Sequence, residues 1–305
     1  MTVSATPETV GFIGLGMMGR PMAANLAASG VRLVVHDADA ATALSVADET
    51  GARLADGVAD AGRNVDAVIL MLPNGTIVRE VVLGTGHGDG LVDTLAAGAM
   101  TIDMSSSEPA GTQSLGREMA ERGFTVMDAP VSGGVKKAVS GELAIMVGGE
   151  AAALDRVQPL LERMGARVFR VGPLGSGHAM KALNNYVSAA GLIAAADAVR
   201  VGASFGIDNA TLVDILNAST GRNNSTENKF HQHILSGTFA TGFSLALMAK
   251  DVGIARDIAG ATGHDAPLLD ACAALWREAS EGDTAHQLDH TEITRFLEAQ
   301  KTYRK

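Results

Sequence analysis

The tightest constraint on the fold lies in the first forty residues. A short apolar run, Val10-Gly11-Phe12-Ile13, leads directly into Gly14-Leu15-Gly16-Met17-Met18-Gly19-Arg20-Pro21. A helical pattern follows (Met22, Ala23, Leu26, Ala27) and stops at Gly30; a second apolar run, 31–36, is closed by Asp37. Strand, glycine turn, helix, strand and acid together form the dinucleotide-binding fingerprint in the context it needs. Gly14 permits the tight turn, Gly16 lets backbone approach a pyrophosphate, and Gly19 lets helix and strand pack closely. Leu15, Met17 and Met18 complete the turn, and Pro21 suits a first helical turn, where a missing N–H costs nothing. The same glycines match the start of a nucleotide-triphosphate loop. That loop needs Lys then Ser or Thr where this chain has Arg20-Pro21, which excludes it.

Asp37 stands 23 residues after Gly14, close to where an acid accepts from the adenosine ribose hydroxyl. A carboxylate there repels a 2′-phosphate, and Ala38, Asp39, Ala40 and Ala41 bring no cation to offset the repulsion. The cofactor expected is NAD rather than NADP.

Apolar strand signals and helical stretches alternate as far as residue 171. The strands read at 66–72, 99–104, 124–127, 143–147 and 167–171, a pattern of α/β class with a doubly wound, largely parallel sheet covered on both faces. Ligands of such sheets bind beyond the carboxyl ends of the strands, so the loops at 72–76, 105–109 and 128–134 are candidates by position. Beyond Gly175 the strand signals cease and helices read at 208–218, 226–236, 243–261, 267–282 and 291–300. The expected organisation is a Rossmann-type dinucleotide-binding domain over 1–173 and an all-helical domain over 174–305.

A long helix opening the second domain joins the two. From His178 on it carries Lys181 and Asn185, four apart and so on one face, ahead of an apolar run too short for a membrane span of ~20 residues. A lysine on a largely buried helix is costly unless it is paired, employed, or snorkels to water.

Charge and cysteine content narrow the partners. The chain of 305 residues has a net charge of −10 and no block of Lys or Arg, which argues against nucleic acid or an anionic membrane surface as partner. Cys272 is the single cysteine, so no internal disulfide is available. The polar stretch 1–9 has no signal-peptide core. A cytoplasmic protein is expected.

Four stretches carry polar groups that packing does not demand: the 14–19 turn, Asp128-Ala-Pro-Val-Ser132-Gly133-Gly134, residues 175–185, and Lys250-Asp251 in an otherwise apolar helix. In this order, and over nearly the whole chain, they resemble the 3-hydroxyisobutyrate dehydrogenase family of β-hydroxyacid dehydrogenases. The resemblance implies that Leu72-Pro73 lies on the adenosine side of the cofactor and Ser106 near the nicotinamide ribose. It implies that Ser132, Gly133 and Gly134 hold the substrate carboxylate, that Lys181 is the catalytic lysine with Asn185 as its partner, and that Lys250 borders the nicotinamide. That chemistry is sound for alcohol oxidation. Burial and a nearby cation make a lysine a better base, and glycine amides can bind a carboxylate without net positive charge.

The implied activity is hydride transfer between NAD(H) and a short 3-hydroxy acid or its semialdehyde, most like that of 3-hydroxyisobutyrate dehydrogenase. The alternatives are 2-hydroxy-3-oxopropionate (tartronate semialdehyde) reductase, another β-hydroxyacid dehydrogenase, or a non-catalytic dinucleotide-binding protein. The loop Thr220-Gly-Arg222-Asn223-Asn224-Ser-Thr226 departs from the pattern of 3-hydroxyisobutyrate dehydrogenase; it reads equally as a substrate wall or a helix-capping loop. A homodimer or homotetramer is implied by the family. No metal site is expected: His231 and His233 stand two apart on a helix and face different ways, and neither Ser132 nor Ser176 sits in a hydrolase elbow.

Overall fold

The structure, a computed structural model, describes residues 6–85, 90–282 and 284–300; most of the polar stretch at the N-terminus lies outside them. The chain forms two compact units that divide inside one helix, residues 1–181 and 182–305. The sequence places its boundary at 173/174, just ahead of that helix.

Among the described residues, unit 1 holds nine strands: β1 (Thr9–Ile13), β2 (Arg32–His36), β3 (Arg53–Leu54), β4 (Ala67–Leu70), β5 (Met100–Asp103), β6 (Thr125–Asp128), β7 (Val131–Ser132), β8 (Ala144–Gly148) and β9 (Arg167–Gly172). They form one sheet in the order β3-β2-β1-β4-β5-β6-β8-β7, with β9 on β8. The run β3 to β6 is parallel throughout; β8 pairs antiparallel with β6 and β7 and parallel with β9. The doubly wound reading holds, with an antiparallel element that the apolar runs do not reveal. β6 and β7 are one strand path broken at Ala129-Pro130, where Pro130 has no N–H to give a ladder. β3 and β7, two residues each, are too short to leave a hydropathy signal.

The helices of this unit are α1 (Gly19–Ala28), α2 (Ala40–Thr50), α3 (Val58–Ala61), α4 (Gly75–Leu83), α5 (Pro109–Glu121), α6 (Gly134–Ser140) and α7 (Ala151–Leu161). Side chains alternate along the strands, so Phe12, Ile69, Ile102 and Met127 enter one core while Ile13, Val68, Leu70 and Val126 enter another. Burial on both faces explains why the strands read as continuous apolar runs.

The helix shared by the units is α8 (Ser176–Ser204), 29 residues long. It contains an 18-residue window of mean hydropathy 1.3, so by length and composition it could cross a bilayer. That corrects the expectation of too short a run. The unbroken apolar run is only the second half of the helix, which also includes residues 176–186. Its Ala189, Leu192, Ala196 and Val199 are buried in the core of unit 2, together with Leu245, Val252 and Trp276.

The rest of unit 2 is helical: α9 (Asn209–Ala218), α10 (Asn224–Asn228), α11 (Leu245–Ala261), α12 (Pro267–Ala279) and α13 (Ile293–Ala299). The single helix expected at 226–236 is replaced by α10 and a π-helical turn, Phe230–Ile234. Asn223 accounts for the early start, because its side chain accepts from the amides of Ser225 and Thr226, and its own amide donates to Thr226 Oγ1. The Arg222-Asn223-Asn224 loop is thus a helix cap, fastened also by a bond from Asn223 Nδ2 to the Gly191 carbonyl.

Candidate active site

In unit 1 the candidate residues gather at the carboxyl ends of β1, β4, β5 and β6. Sheet order reverses between β1 and β4, the position at which ligands of open α/β sheets bind. The glycine turn fits a dinucleotide. Gly14 has φ +94° and no room for a Cβ beside the Met71 carbonyl; Gly19 packs so tightly on Gly14 that a Cβ would collide with its carbonyl oxygen. Gly16, in contrast, faces open space with nothing within 4 Å. No side chain caps α1 and no acid lies in its first turn, so no side chain competes with or repels a phosphate at its N-terminus. Leu15 is buried, Met18 packs on the core, and Met17 is exposed.

Asp37 is tied into this turn. Its Oδ2 accepts from the Leu15 amide at 2.6 Å and its Oδ1 from the Asp39 amide at 2.9 Å. Asp39 points elsewhere, capping α2 through Ala41 and Thr42, and the Thr42 hydroxyl bond holds its carboxyl below the usual range. Burial pushes the His36 imidazole below its ordinary value, against a smaller opposing pull from Asp37. The ring is therefore neutral at pH 7 and a weak partner for a 2′-phosphate.

Leu72-Pro73 follows β4 and abuts the turn, with Leu72 Cδ2 close to Gly14. Asp103, at the end of β5, organises the serine loop. Its carboxylate accepts from the Ser105 amide and the Ser107 hydroxyl, both at 2.9 Å, and Ser105 Oγ in turn accepts from the Leu72 amide. With Ser105 and Ser107 buried in this network, Ser106 is the partly exposed member of the three.

After β6 the chain turns through Ser132, at the end of β7, to Gly133 (φ +136°) and Gly134 (φ +68°). Both glycines are exposed, and nothing stands within 4 Å of where a Cβ of Gly134 would lie. Only glycine readily adopts such angles while leaving its amide open to a ligand.

Sequence reasoning missed the residue that fastens α8. Asp128 is completely buried; its Oδ1 accepts from the Gly175 amide and its Oδ2 from the His178 amide, both at 2.7 Å. Gly177 lies so close that a Cβ would strike the Met146 carbonyl. His178 is also buried, its Nδ1 bonded to Thr112 Oγ1 at 2.9 Å and its Nε2 3.6 Å from Asp103 Oδ2. Lys181 follows three residues later, partly exposed.

On the same helix Asn185 is the first candidate residue in unit 2. It is buried, and its Nδ2 donates to Asp251 Oδ2 at 2.6 Å, while its Oδ1 accepts from Asn184. Lys250 Nζ lies 3.7 Å from Asp251 Oδ1, so one buried carboxylate orients both polar groups. Lys250 also borders a hollow of about 500 Å³ shared with Arg256 and Arg277. In the sequence Asp251 stands out only as the neighbour of Lys250; a carboxylate inside an apolar helix is the signal that points to its role. His231 is an exposed partner of Asp214 at 2.8 Å.

Known proteins are consistent with this geometry. Residues 9–172 match the NAD binding domain of 6-phosphogluconate dehydrogenase, and residues 175–297 match the NAD-binding domain of NADP-dependent 3-hydroxyisobutyrate dehydrogenase. The chain is 37% identical to 2-(hydroxymethyl)glutarate dehydrogenase of Eubacterium barkeri, over 84% of its own length and 83% of the relative's. It is 35% identical to NAD-dependent L-serine dehydrogenase of Pseudomonas aeruginosa, over 88% and 91%. The structure of Mycobacterium tuberculosis 3-hydroxyisobutyrate dehydrogenase with L-serine superimposes with a TM-score of 0.85 at 32% identity, covering 96% of this chain and 99% of that one. With a dinucleotide turn at one end of its sheet and a lysine–asparagine helix leading out of it, the chain belongs to the 3-hydroxyisobutyrate dehydrogenase family, NAD(P)-dependent dehydrogenases that act on a CH–OH group.

Proposed function

We propose that the chain transfers a hydride between NAD(H) and a short 3-hydroxy acid or its semialdehyde, as 3-hydroxyisobutyrate dehydrogenase does. The substrates named for its relatives, 2-(hydroxymethyl)glutarate, L-serine and 3-hydroxyisobutyrate, share one unit, a CH₂OH on a carbon that also bears a carboxylate. They differ only in the remaining substituent on that carbon, C2. The residues proposed to read the shared unit are Ser132, Gly133 and Gly134 for the carboxylate, with Lys181 and Asn185 for the hydroxyl.

The single observation that carries this reading is the lysine–asparagine pair of α8. Asn185 lies one helical turn beyond Lys181, and its carboxamide is locked by Asp251. NAD, when bound, supplies the acceptor for the hydride leaving C3. Lys181 accepts the hydroxyl proton as the C–H bond breaks and returns it in the reverse direction. Asn185 orients the hydroxyl, and Lys250, steadied by Asp251, would border the nicotinamide. The turn 14–19, Asp37, Leu72, Pro73 and Ser106 would hold NAD. The carboxylate of Asp37, with neutral His36 beside it, supports NAD over NADP.

A homo-oligomer belongs to the same proposal. Val187, Val201 and Phe205 of α8 are 68%, 71% and 87% exposed, which favours cover by a second copy. The proposed location remains cytoplasmic.

The test is absorbance of the reduced cofactor across a panel of 2-substituted 3-hydroxypropanoates, with wild type and Lys181→Ala. The substitution is expected to lower kcat by about 10²-fold or more while NADH still binds. A near-normal kcat in Lys181→Ala would remove the acid–base assignment. Binding of NADH without turnover of any panel member would favour a non-catalytic dinucleotide protein.

A further inference from the structure

His178 stands where four elements of unit 1 meet, yet the reaction as proposed gives it nothing to do. It lies in the first turn of α8 and is only 1% exposed. Its ring faces Thr112 on α5, Asp103 at the end of β5 and Asp128 at the end of β6. A polar ring is costly to bury where an apolar one would fill the same space, so both of its nitrogens need partners.

The Thr112 hydroxyl decides which nitrogen carries the hydrogen. Thr112 Oγ1 has one hydrogen and two acceptors in reach, His178 Nδ1 at 2.9 Å and the Glu108 carbonyl at 3.2 Å. On the shorter bond the hydroxyl donates to Nδ1, and the ring N–H then stands at Nε2. Among the described residues Nε2 has no hydrogen-bond partner, and it faces Asp103 Oδ2 across 3.6 Å. That is too long for a hydrogen bond, but an N–H dipole aimed at a carboxylate is attracted strongly in a buried, low-dielectric site. Asp103 is the carboxylate that organises Ser105 and Ser107. His178 therefore joins the first turn of α8 to the serine loop.

Asp128 does not supply that join alone. It holds α8 by two backbone amides, and amides at a helix start point along the axis, so they fix chiefly where the helix begins. Rotation about the axis is set by side chains that reach across, as His178 does. Lys181, three residues on, lies on the same side of the helix. Side chains stand about 5–6 Å from the axis, so a rotation of about 10° moves them by about 1 Å. A displacement of that size can cost about 10²-fold in rate.

We infer that His178 is a positioning residue: with its Nε2–H aimed at Asp103, it sets the rotation of α8, and so the direction of Lys181, against the serine loop. The inference rests on Lys181 accepting the proton in the proposed reaction.

Two amide side chains separate the ring's contacts. The amide of Asn reaches only the Nδ1 position, whereas the amide nitrogen of Gln reaches that of Nε2. On the folded fraction, His178→Gln should keep kcat within about threefold of wild type, while His178→Asn and His178→Phe lower it by about 10- to 100-fold. KM and the affinity for NADH should stay within about threefold in all three, as expected when only the transition state is misplaced. A ring that merely fills space would leave His178→Phe near wild type in kcat, and that result overturns the inference. So does His178→Gln falling as far as His178→Asn. Wild type supplies a test that needs none of these variants to fold. In a magnetic-resonance spectrum with isotope-labelled imidazoles, His178 is the ring whose signals move in Thr112→Val, and it should carry a proton on Nε2. An Nε2 without that proton overturns the inference. No turnover by wild type of any member of the hydroxy-acid panel would remove the proposed reaction, and the inference with it, whatever Nε2 carries.

Discussion

Asp128 should be the most sensitive polar residue of unit 1, although it is placed to touch neither cofactor nor substrate. Asp128→Asn keeps the shape but replaces one carboxylate oxygen by an NH₂ group. That group must then face the amide of either Gly175 or His178, both now bonded at 2.7 Å. One charge-assisted bond is lost, worth about 1.5–3 kcal/mol, and a buried donor is left unsatisfied at a further cost of about 1–3 kcal/mol. The substitution should therefore cost about 2.5–6 kcal/mol, or about 5–24 °C in Tm for a unit of this size. Asp128→Ala should cost more, because both amides lose their acceptor. The first turn of α8 then loosens from the sheet and Lys181, three residues on, moves with it. Misplacement of about 1 Å can cost 10²-fold in rate, so kcat should fall by far more than the affinity for NADH. The assays are urea and thermal unfolding, together with kcat and NADH titration on the folded fraction. Asp128→Asn within about 0.5 kcal/mol of wild type and with unchanged kcat would refute the clamp.

Two further outcomes follow from the geometry. Asp37→Ala should shift the kcat/KM ratio of NAD to NADP toward NADP by at least tenfold; an unchanged ratio, or wild type that already prefers NADP, would show that Asp37 serves only the Leu15 and Asp39 amides. His290, at about 4 when folded and near 6.5 when unfolded, binds its proton more readily in the unfolded chain, so its contribution to stability is full above pH 6.5 and is lost as pH falls toward 4. That loss amounts to about 3 kcal/mol, and unfolding free energies at pH 4.5 and 7 should differ by visibly less in His290→Gln than in wild type.

What is legible in the sequence is what depends on neighbours along the chain. The fingerprint can be read because Gly14, Gly16 and Gly19 act through local backbone geometry, and the helix from His178 because its polar first turns run on into a continuous apolar stretch. Asp128, Asp251 and Lys229 cannot be read, because each acts through a distant partner. Asp128 reaches 47 residues to Gly175, Asp251 reaches 66 to Asn185, and Lys229 reaches 41 to Ser188. In the linear chain Asp128 ends a strand, Asp251 resembles half of a surface ion pair, and Lys229 falls among polar neighbours in the helix read at 226–236. Only burial separates them from ordinary charged residues. The π-helical turn has no composition of its own, which is why 226–236 reads as a plain helix.

The parallel run of the sheet also acts as a ruler. The glycine turn, Leu72-Pro73, Ser106 and the approach to Ser132 issue from β1, β4, β5 and β6, four consecutive neighbours. They are separated by three inter-strand steps of about 4.8 Å each, about 14 Å from first to last. That distance is set by backbone hydrogen bonds that, proline aside, no side-chain substitution removes. Drift in the loops can therefore change which groups meet a ligand while the length of ligand accommodated stays constant. Descendants of this scaffold should diversify in what they oxidise long before they change the size of the dinucleotide they use.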